Sequence, residues 1–399
     1  MSIRTIFAVK RSLLTVALSV AGLMLLAPTA RAQTRHVFVV SAENPPQGKL
    51  YEYTSTNDTT WSERVLFTIN GHPSQSVSVY SSNIASFAGG GQIWVAYVGL
   101  DSQTQLMHQH VMHSADDVNW TDTDVSPIGN PLPDITSGVV GFTDSSGVPR
   151  VIYITQPTNG NEYATEVFLN GSTWVNEGTL SVAAAAPGTA VAGYLFNTTS
   201  QAFYIGTDGH IHEVYKPSNS GWLATDVTVA ANAPLPISGS NLLGYKFNSN
   251  APIHYFTSNG HVHQIWWNGS SWKTDDVTQL AGTAPNCVVG TQNGVKAPLT
   301  GYMFNGQPTV NCSAGGLIQM WWTGSKELWN DWTGAAGGSP ELYDPIAGYA
   351  VGNHNTIFYF DGSSPTVLVY EYLWNGSTTQ RIQLQQTFYI PAGLATAVF

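Results

Sequence analysis

The sequence predicts an all-β fold, a seven-bladed β-propeller of four-stranded antiparallel blades. Three observations predict it. A Gly-aromatic pair recurs at Gly141-Phe142, Gly193-Tyr194, Gly244-Tyr245, Gly301-Tyr302 and Gly348-Tyr349, a spacing of about 50 residues. A short apolar strand with Glu or Gln at its centre recurs seven times, at Glu52, Gln109, Glu166, Glu213, Gln264, Gln319 and Glu371. A Trp follows in six of these copies, at Trp61, Trp120, Trp174, Trp222, Trp272 and Trp329.

The clearest copy runs from Leu242 to Asp276. Its four apolar runs are separated by Asn-Ser-Asn, Ser-Asn-Gly and Asn-Gly-Ser. Asn259-Gly260 and Asn268-Gly269 are strong hairpin signals, because a two-residue type I′ turn needs positive φ at both central positions. Four strands joined this way form a meander that cannot bury both faces alone, so it needs neighbours on each side.

The chain ends suggest how the ring closes. The first copy begins at His36 with what is a second strand elsewhere. Gly393 to Phe399 resembles a first strand with nothing after it. The last segment is therefore expected to pair into the first blade, which removes open sheet edges.

Residues 1–32 read as a secretory signal peptide: Arg4, Lys10 and Arg11, an apolar core from Leu13 to Leu26, then Ala30-Arg31-Ala32. The protein is therefore expected outside the cytoplasm, extracellular or periplasmic, with no membrane insertion. Residues 33–399 are expected to form one propeller domain, since the repeat runs through them without a linker. The leader holds four of the 14 basic residues and none of the 25 acidic ones, so the mature chain is weakly acidic. Nucleic-acid binding demands basic stripes, so this charge argues against a nucleic-acid partner and against docking on anionic lipid.

Cys287 and Cys312 both fall in the sixth copy. In a secreted chain a disulfide between them is plausible, with two free thiols as the alternative. His210-Ile211-His212 and His261-Val262-His263 place two imidazoles on one strand face, a spacing that suits zinc or copper. Their repetition with the blade favours a structural role, and no metal or other cofactor is expected. The pairs Asp116-Asp117 and Asp275-Asp276 point to opposite strand faces and do not converge as glycosidase carboxylates would. No nucleophile elbow, P-loop or dinucleotide fingerprint is present, and a non-enzymatic role follows.

The aromatic residues are the larger signal. Trp266-Trp267 and Trp321-Trp322 are doublets, one member expected between blades and the other exposed. An apolar ring with a few placed polar groups suits a sugar. The pattern Gly-Tyr-x-Phe, Asp/Asn-Gly-His-Ile/Val-His-Glu/Gln, Trp-Trp and Gly-x-Trp resembles the fucose-binding β-propeller lectins, both fungal and the seven-bladed bacterial lectins of the Photorhabdus type. The resemblance covers the mature chain and is sharpest from Val191 to Asp276.

That resemblance implies pockets between blades. An Arg of the second strand and the Glu or Gln of the third grip sugar hydroxyls, and an aromatic ring stacks beneath. Across the seven copies the Arg position reads Arg35, Gln92, Arg150, Gln201, Pro252, Gln307 and Thr356. Two copies keep the pair, Arg35 with Glu52 and Arg150 with Glu166. The leading site is Arg150 with Glu166, with Trp174 or Trp222 as the ring; Glu213, Gln264 and Trp267 belong to further pockets. Where Arg is lost, so is the forked donor that reads a vicinal diol. The expected function is a secreted lectin-like protein whose partners are glycans, fucosylated ones included. The alternative is a protein-interaction scaffold with degenerate sugar sites, and a propeller hydrolase is a weaker third. The sequence leaves the oligomeric state open, a homo-oligomer included.

Overall fold

A computed structural model of the chain describes residues 33–44, 47–66, 76–78, 84–100, 106–126, 132–156, 160–180, 183–217, 220–247, 250–289, 291–292, 295–338, 340, 345–361, 367–388 and 391–398. The expected signal peptide lies outside them. One compact unit spans Thr34–Phe399.

Seven antiparallel four-stranded units follow one another along the chain. The third blade shows the plan: Val139–Thr143, Pro149–Ile154, Ala164–Asn170 and Thr173–Thr179, each pairing with the next. The first blade departs from it, as the chain ends suggested. Its second strand, Arg35–Asn44, pairs on one side with Gln47–Ser55 and on the other with the C-terminal strand Pro391–Val398. Arg35 faces Val398 and Val40 faces Gly393 in that pairing. A short strand, Ser76–Ser78, bridges the third strand of the first blade to the second strand of the second, so these two blades form one continuous sheet. The sequence gives no signal for this bridge.

The core lies between blades rather than within one. Each of seven apolar clusters joins neighbouring blades, such as Val37, Tyr53, Phe358 and Phe360 between the first and the seventh. The Gly-aromatic pair has its physical reason here. A Cβ on Gly348 would stand 2.4 Å from a ring carbon of Tyr302, one on Gly244 2.7 Å from Tyr194, and one on Gly141 2.1 Å from Phe87. The glycine of one blade is the seat for an aromatic ring of the blade before it.

After the fourth strand of blades four, five and six, the chain makes one-turn helices Val227–Ala231, Val277–Leu280 and Trp332–Ala336. Asp226, Asp276 and Asp331 cap them, each accepting from a backbone N–H of the first turn. The hydroxyls of Thr228, Thr278 and Thr333 accept from the backbone N–H of Ile211, Val262 and Leu317, at 2.8, 2.9 and 2.8 Å. An Asp-x-Thr motif thus tethers the end of each of these blades to the start of its third strand. Cys287 and Cys312 form a disulfide, with their Cα atoms 6.0 Å apart.

Candidate functional site

The third blade sets the reference geometry. Glu166 faces Ile152 across the strand pair, and Arg150 stands two residues earlier, on the same face. Arg150 Nη1 donates to Glu166 Oε1 at 2.7 Å, and Arg150 Nε donates to Asp144 Oδ2 at 2.8 Å. From the fourth blade, Trp222 Nε1 donates to Glu166 Oε2 at 3.1 Å. Phe168 lies beneath the guanidinium, 5.1 Å from its carbon to the ring centroid. Lys216 stands within 6 Å of both the Phe168 and Trp222 rings and is paired with Glu177. Glu166 is fully buried, and burial pushes its carboxyl up to about 7 against the opposing pull of Arg150. Arginine, carboxyl and ring therefore meet between two blades, and the ring comes from the following blade.

Of the two candidate rings, Trp222 is the one at this site. Trp174 belongs to the preceding interface, where it packs edge-on against Trp94 at 6.0 Å. Strand register shows why that interface differs. The N–H of Gln109 donates to Ser126 Oγ at 2.7 Å, the contact that Ile211, Val262 and Leu317 make elsewhere. Gln109 is thus two residues early, and the carboxyl position of the second blade is Val111. Val111 faces Ala96, so the arginine position is Trp94 rather than Gln92. An indole fills the space the guanidinium holds in the third blade.

The expected pair of Arg35 with Glu52 is not formed. Glu52 faces Phe38, which puts His36 at the arginine position. His36 Nδ1 lies 2.7 Å from Glu52 Oε1, and Arg64, from the fourth strand, donates from Nε to Glu52 Oε2 at 2.5 Å. Arg64 also pairs with Asp117 of the next blade. The carboxyl was legible, but the arginine comes from the strand on its other side, where Glu52 faces Arg64 in register. Arg35 turns instead to its own blade, its Nε 3.0 Å from Asp58 Oδ1. Asp58 also accepts from Tyr349 Oη at 2.7 Å and pairs with His354 Nδ1 at 2.5 Å. Beside this cluster Trp61 Nε1 donates to the buried Glu371 at 2.9 Å, the same ring-to-carboxyl contact as at the third blade.

Gln201, Pro252 and Thr356 do hold the arginine position, two residues before the partners of Glu213, Gln264 and Glu371. In the sixth blade that position is Thr309 rather than Gln307, because Gln319 faces Asn311. Glu213 is buried without a charged partner among the described residues, and burial pushes its carboxyl up to about 8. Trp267 packs on Trp272 at 5.6 Å within the apolar interface of blades four and five. Trp329 falls two residues past the ring position. In register Glu327 takes that place, as Trp272 and Trp222 do in the two blades before.

Losing the bulky groups opens space. A cavity of about 510 Å³ lies between blades five and six, where proline and glutamate replace the arginine and the ring. One of about 520 Å³ lies between blades six and seven, where Thr309 and Thr379 do so. Both members of each Trp doublet are half-buried; Trp266 and Trp322 line the first cavity and Trp321 the second.

The histidine pairs are part of the blade scaffold. His210 Nδ1 bonds Asp226 and His261 Nδ1 bonds Asp276, both at 2.6 Å, using the aspartates that cap the helices. Three groups among the described residues bring ligand atoms within 4.8 Å of one another and could hold a metal ion: His261, His263 and Asp276; His36, Glu52 and Asp117; Asp208, His212 and Asp226.

Fold and site define a propeller whose blades meet at a carboxyl or amide of one blade, joined by a ring of the next at Glu166 and Glu371 and opening into a cavity where that ring is lost. Solved structures share this fold. The BP39L lectin from Burkholderia pseudomallei is 15% identical, with a TM-score of 0.60 over 91% of this chain and 96% of its own. A variant of AofleA from Arthrobotrys oligospora is 11% identical, with a TM-score of 0.50 over 81% of this chain and 92% of its own. The six-bladed lectin of Aleuria aurantia is 17% identical, with a TM-score of 0.47 over 79% and 98%. No protein-family model matches the sequence, and no curated protein matches it either.

Proposed function

We propose that the protein is a secreted, non-enzymatic, lectin-like glycan-binding protein whose leading pocket is formed by Arg150, Glu166 and Trp222. The observation that carries this is the convergence itself: a forked cation donor, a buried carboxyl and an indole from the next blade. Such a set reads a vicinal diol through directional hydrogen bonds while a ring supports the apolar sugar face. BP39L is named a lectin, which agrees with this reading. The sequence resemblance to fucose-binding propellers makes L-fucose the first sugar to test. Glu52 with Arg64 is a second carboxyl–guanidinium pair of related composition.

The test is a glycan array with the mature chain, free L-fucose as competitor, and the variant Arg150→Ala. Fucosylated glycans should be retained, fucose should displace them, and the variant should lose roughly tenfold or more in affinity, the worth of a charge-assisted hydrogen bond. Retention unchanged in the variant would sink the site assignment. A chain that binds no glycan leaves the protein-interaction scaffold as the reading. Trp94 at the second blade favours that reading for that position.

A further inference from the structure

The cavity between blades five and six has lost the diol-reading set and gained another. Proline at the arginine position offers no donor. Glu327 stands where Trp222 and Trp272 stand elsewhere. It is 8% exposed, lines the cavity, and its carboxyl has no hydrogen-bond partner among the described residues. A buried carboxyl left so costs free energy unless a ligand supplies the donor.

A second carboxylate faces the same space. Asp275 lines the cavity, and one of its oxygens, Oδ2, takes both Trp266 Nε1 at 2.6 Å and Gln264 Nε2 at 3.1 Å. That fixes the carboxylate and stands the Trp266 ring beside it. Tyr245 and Trp322 add further aromatic wall. His254, stacked on Tyr245 at 5.5 Å, is held neutral by burial and adds no positive charge. Lys326 is exposed on the lining and is the sole cation among the described lining residues, against two carboxyls.

We propose that this cavity is a second ligand site, selective for a ring-sized ligand bearing a protonated amine, the class of a hexosamine with a free amino group. An ammonium donates to both carboxyls at once and gains from the neighbouring π faces. A neutral sugar can supply only hydroxyl donors to the same two groups. The volume, about 510 Å³, suits one or two sugar rings. The proposal is independent of fucose binding at Arg150, since the two pockets share no residue.

The experiment is calorimetric titration of the whole mature protein with D-glucosamine, N-acetyl-D-glucosamine and D-glucose, with methyl α-L-fucoside present in excess in a parallel run. Glucosamine should bind at least tenfold more tightly than the other two, and the fucoside should not displace it. Glu327→Gln and Asp275→Asn should each weaken glucosamine at least tenfold. Equal affinity for glucosamine and its N-acetyl form would overturn the proposal, and that comparison needs no variant to fold. Displacement by the fucoside, or full retention of glucosamine by folded Glu327→Gln, would overturn it as well.

Discussion

Trp61 Nε1 donates to Glu371 Oε2 at 2.9 Å although 310 residues separate them, and Trp222 donates to Glu166 Oε2 at 3.1 Å across 56. The two contacts are one feature of the repeat. In both, the indole of one blade satisfies the buried carboxyl of the blade before it around the ring. Trp222 serves the preceding copy, and Trp61 of the first copy serves the last.

Removing such a donor should be felt as lost stability. In Trp222→Phe the ring is kept and the N–H is lost, leaving one oxygen of a fully buried carboxyl unpaired. A loss of about 1–3 kcal/mol is expected, read from the denaturant midpoint. Trp61→Phe should lose a similar amount. No shift in either variant would mean the contact contributes nothing.

Glu213 should make stability depend on pH. The unfolded side chain titrates near 4.5, whereas burial holds the proton on the folded one up to about 8. Between those values the folded state binds more protons than the unfolded state. The contribution of this group is therefore full below pH 4.5 and is lost as pH rises towards 8. Glu213→Gln cannot ionise and should gain stability over the wild type as pH goes from 5 to 8, by up to about 3 kcal/mol at pH 7. Buried histidines such as His36 and His254 shift in the opposite sense, but they cancel in the difference between the two proteins. A pH-independent difference in melting temperature would refute this.

Gly348→Ala should destabilise the fold. Its Cβ would meet Tyr302 at 2.4 Å and the carbonyl oxygen of Thr356 at 2.6 Å, and the backbone cannot step aside. Overpacking of this kind costs about 1–3 kcal/mol. Gly221→Ala is the control, because a Cβ there meets nothing within 4 Å. Thermal melts of the two variants should separate clearly.

Asp276→Ala should cost about 1–2 kcal/mol through the lost helix cap. Asp276 Oδ1 accepts from Gln279 N at 2.8 Å while Oδ2 holds His261. Amide hydrogen exchange should quicken at Val277–Leu280 and at the start of Val262–Trp267. Faster exchange confined to the helix would show that the histidine bond does not tie the two segments together.

The blade count, the strand order and the third-blade pair of Arg150 with Glu166 were legible in the sequence. They follow from hairpin turns and the two-residue alternation of a strand, which act over a few residues. The assignments that failed were failures of register. Gln109 for Val111, Arg35 for His36, and Trp329 for Glu327 are slips of one or two residues along a strand. A one-residue slip moves a side chain to the other face of the sheet, and a two-residue slip moves it to the neighbouring position on the same face.

The sequence by itself determined which residue types recur and how many blades they build, because local turn chemistry and periodicity are written along the chain. Only the tertiary structure decided which residues share a pocket. Arg64 reaches Glu52 from the far strand of its blade, Trp94 fills a pocket, and Glu327 and Asp275 face one cavity. Each pocket is made by two blades packed face to face. Its members lie tens to hundreds of residues apart, and register and packing across the interface decide which of them meet.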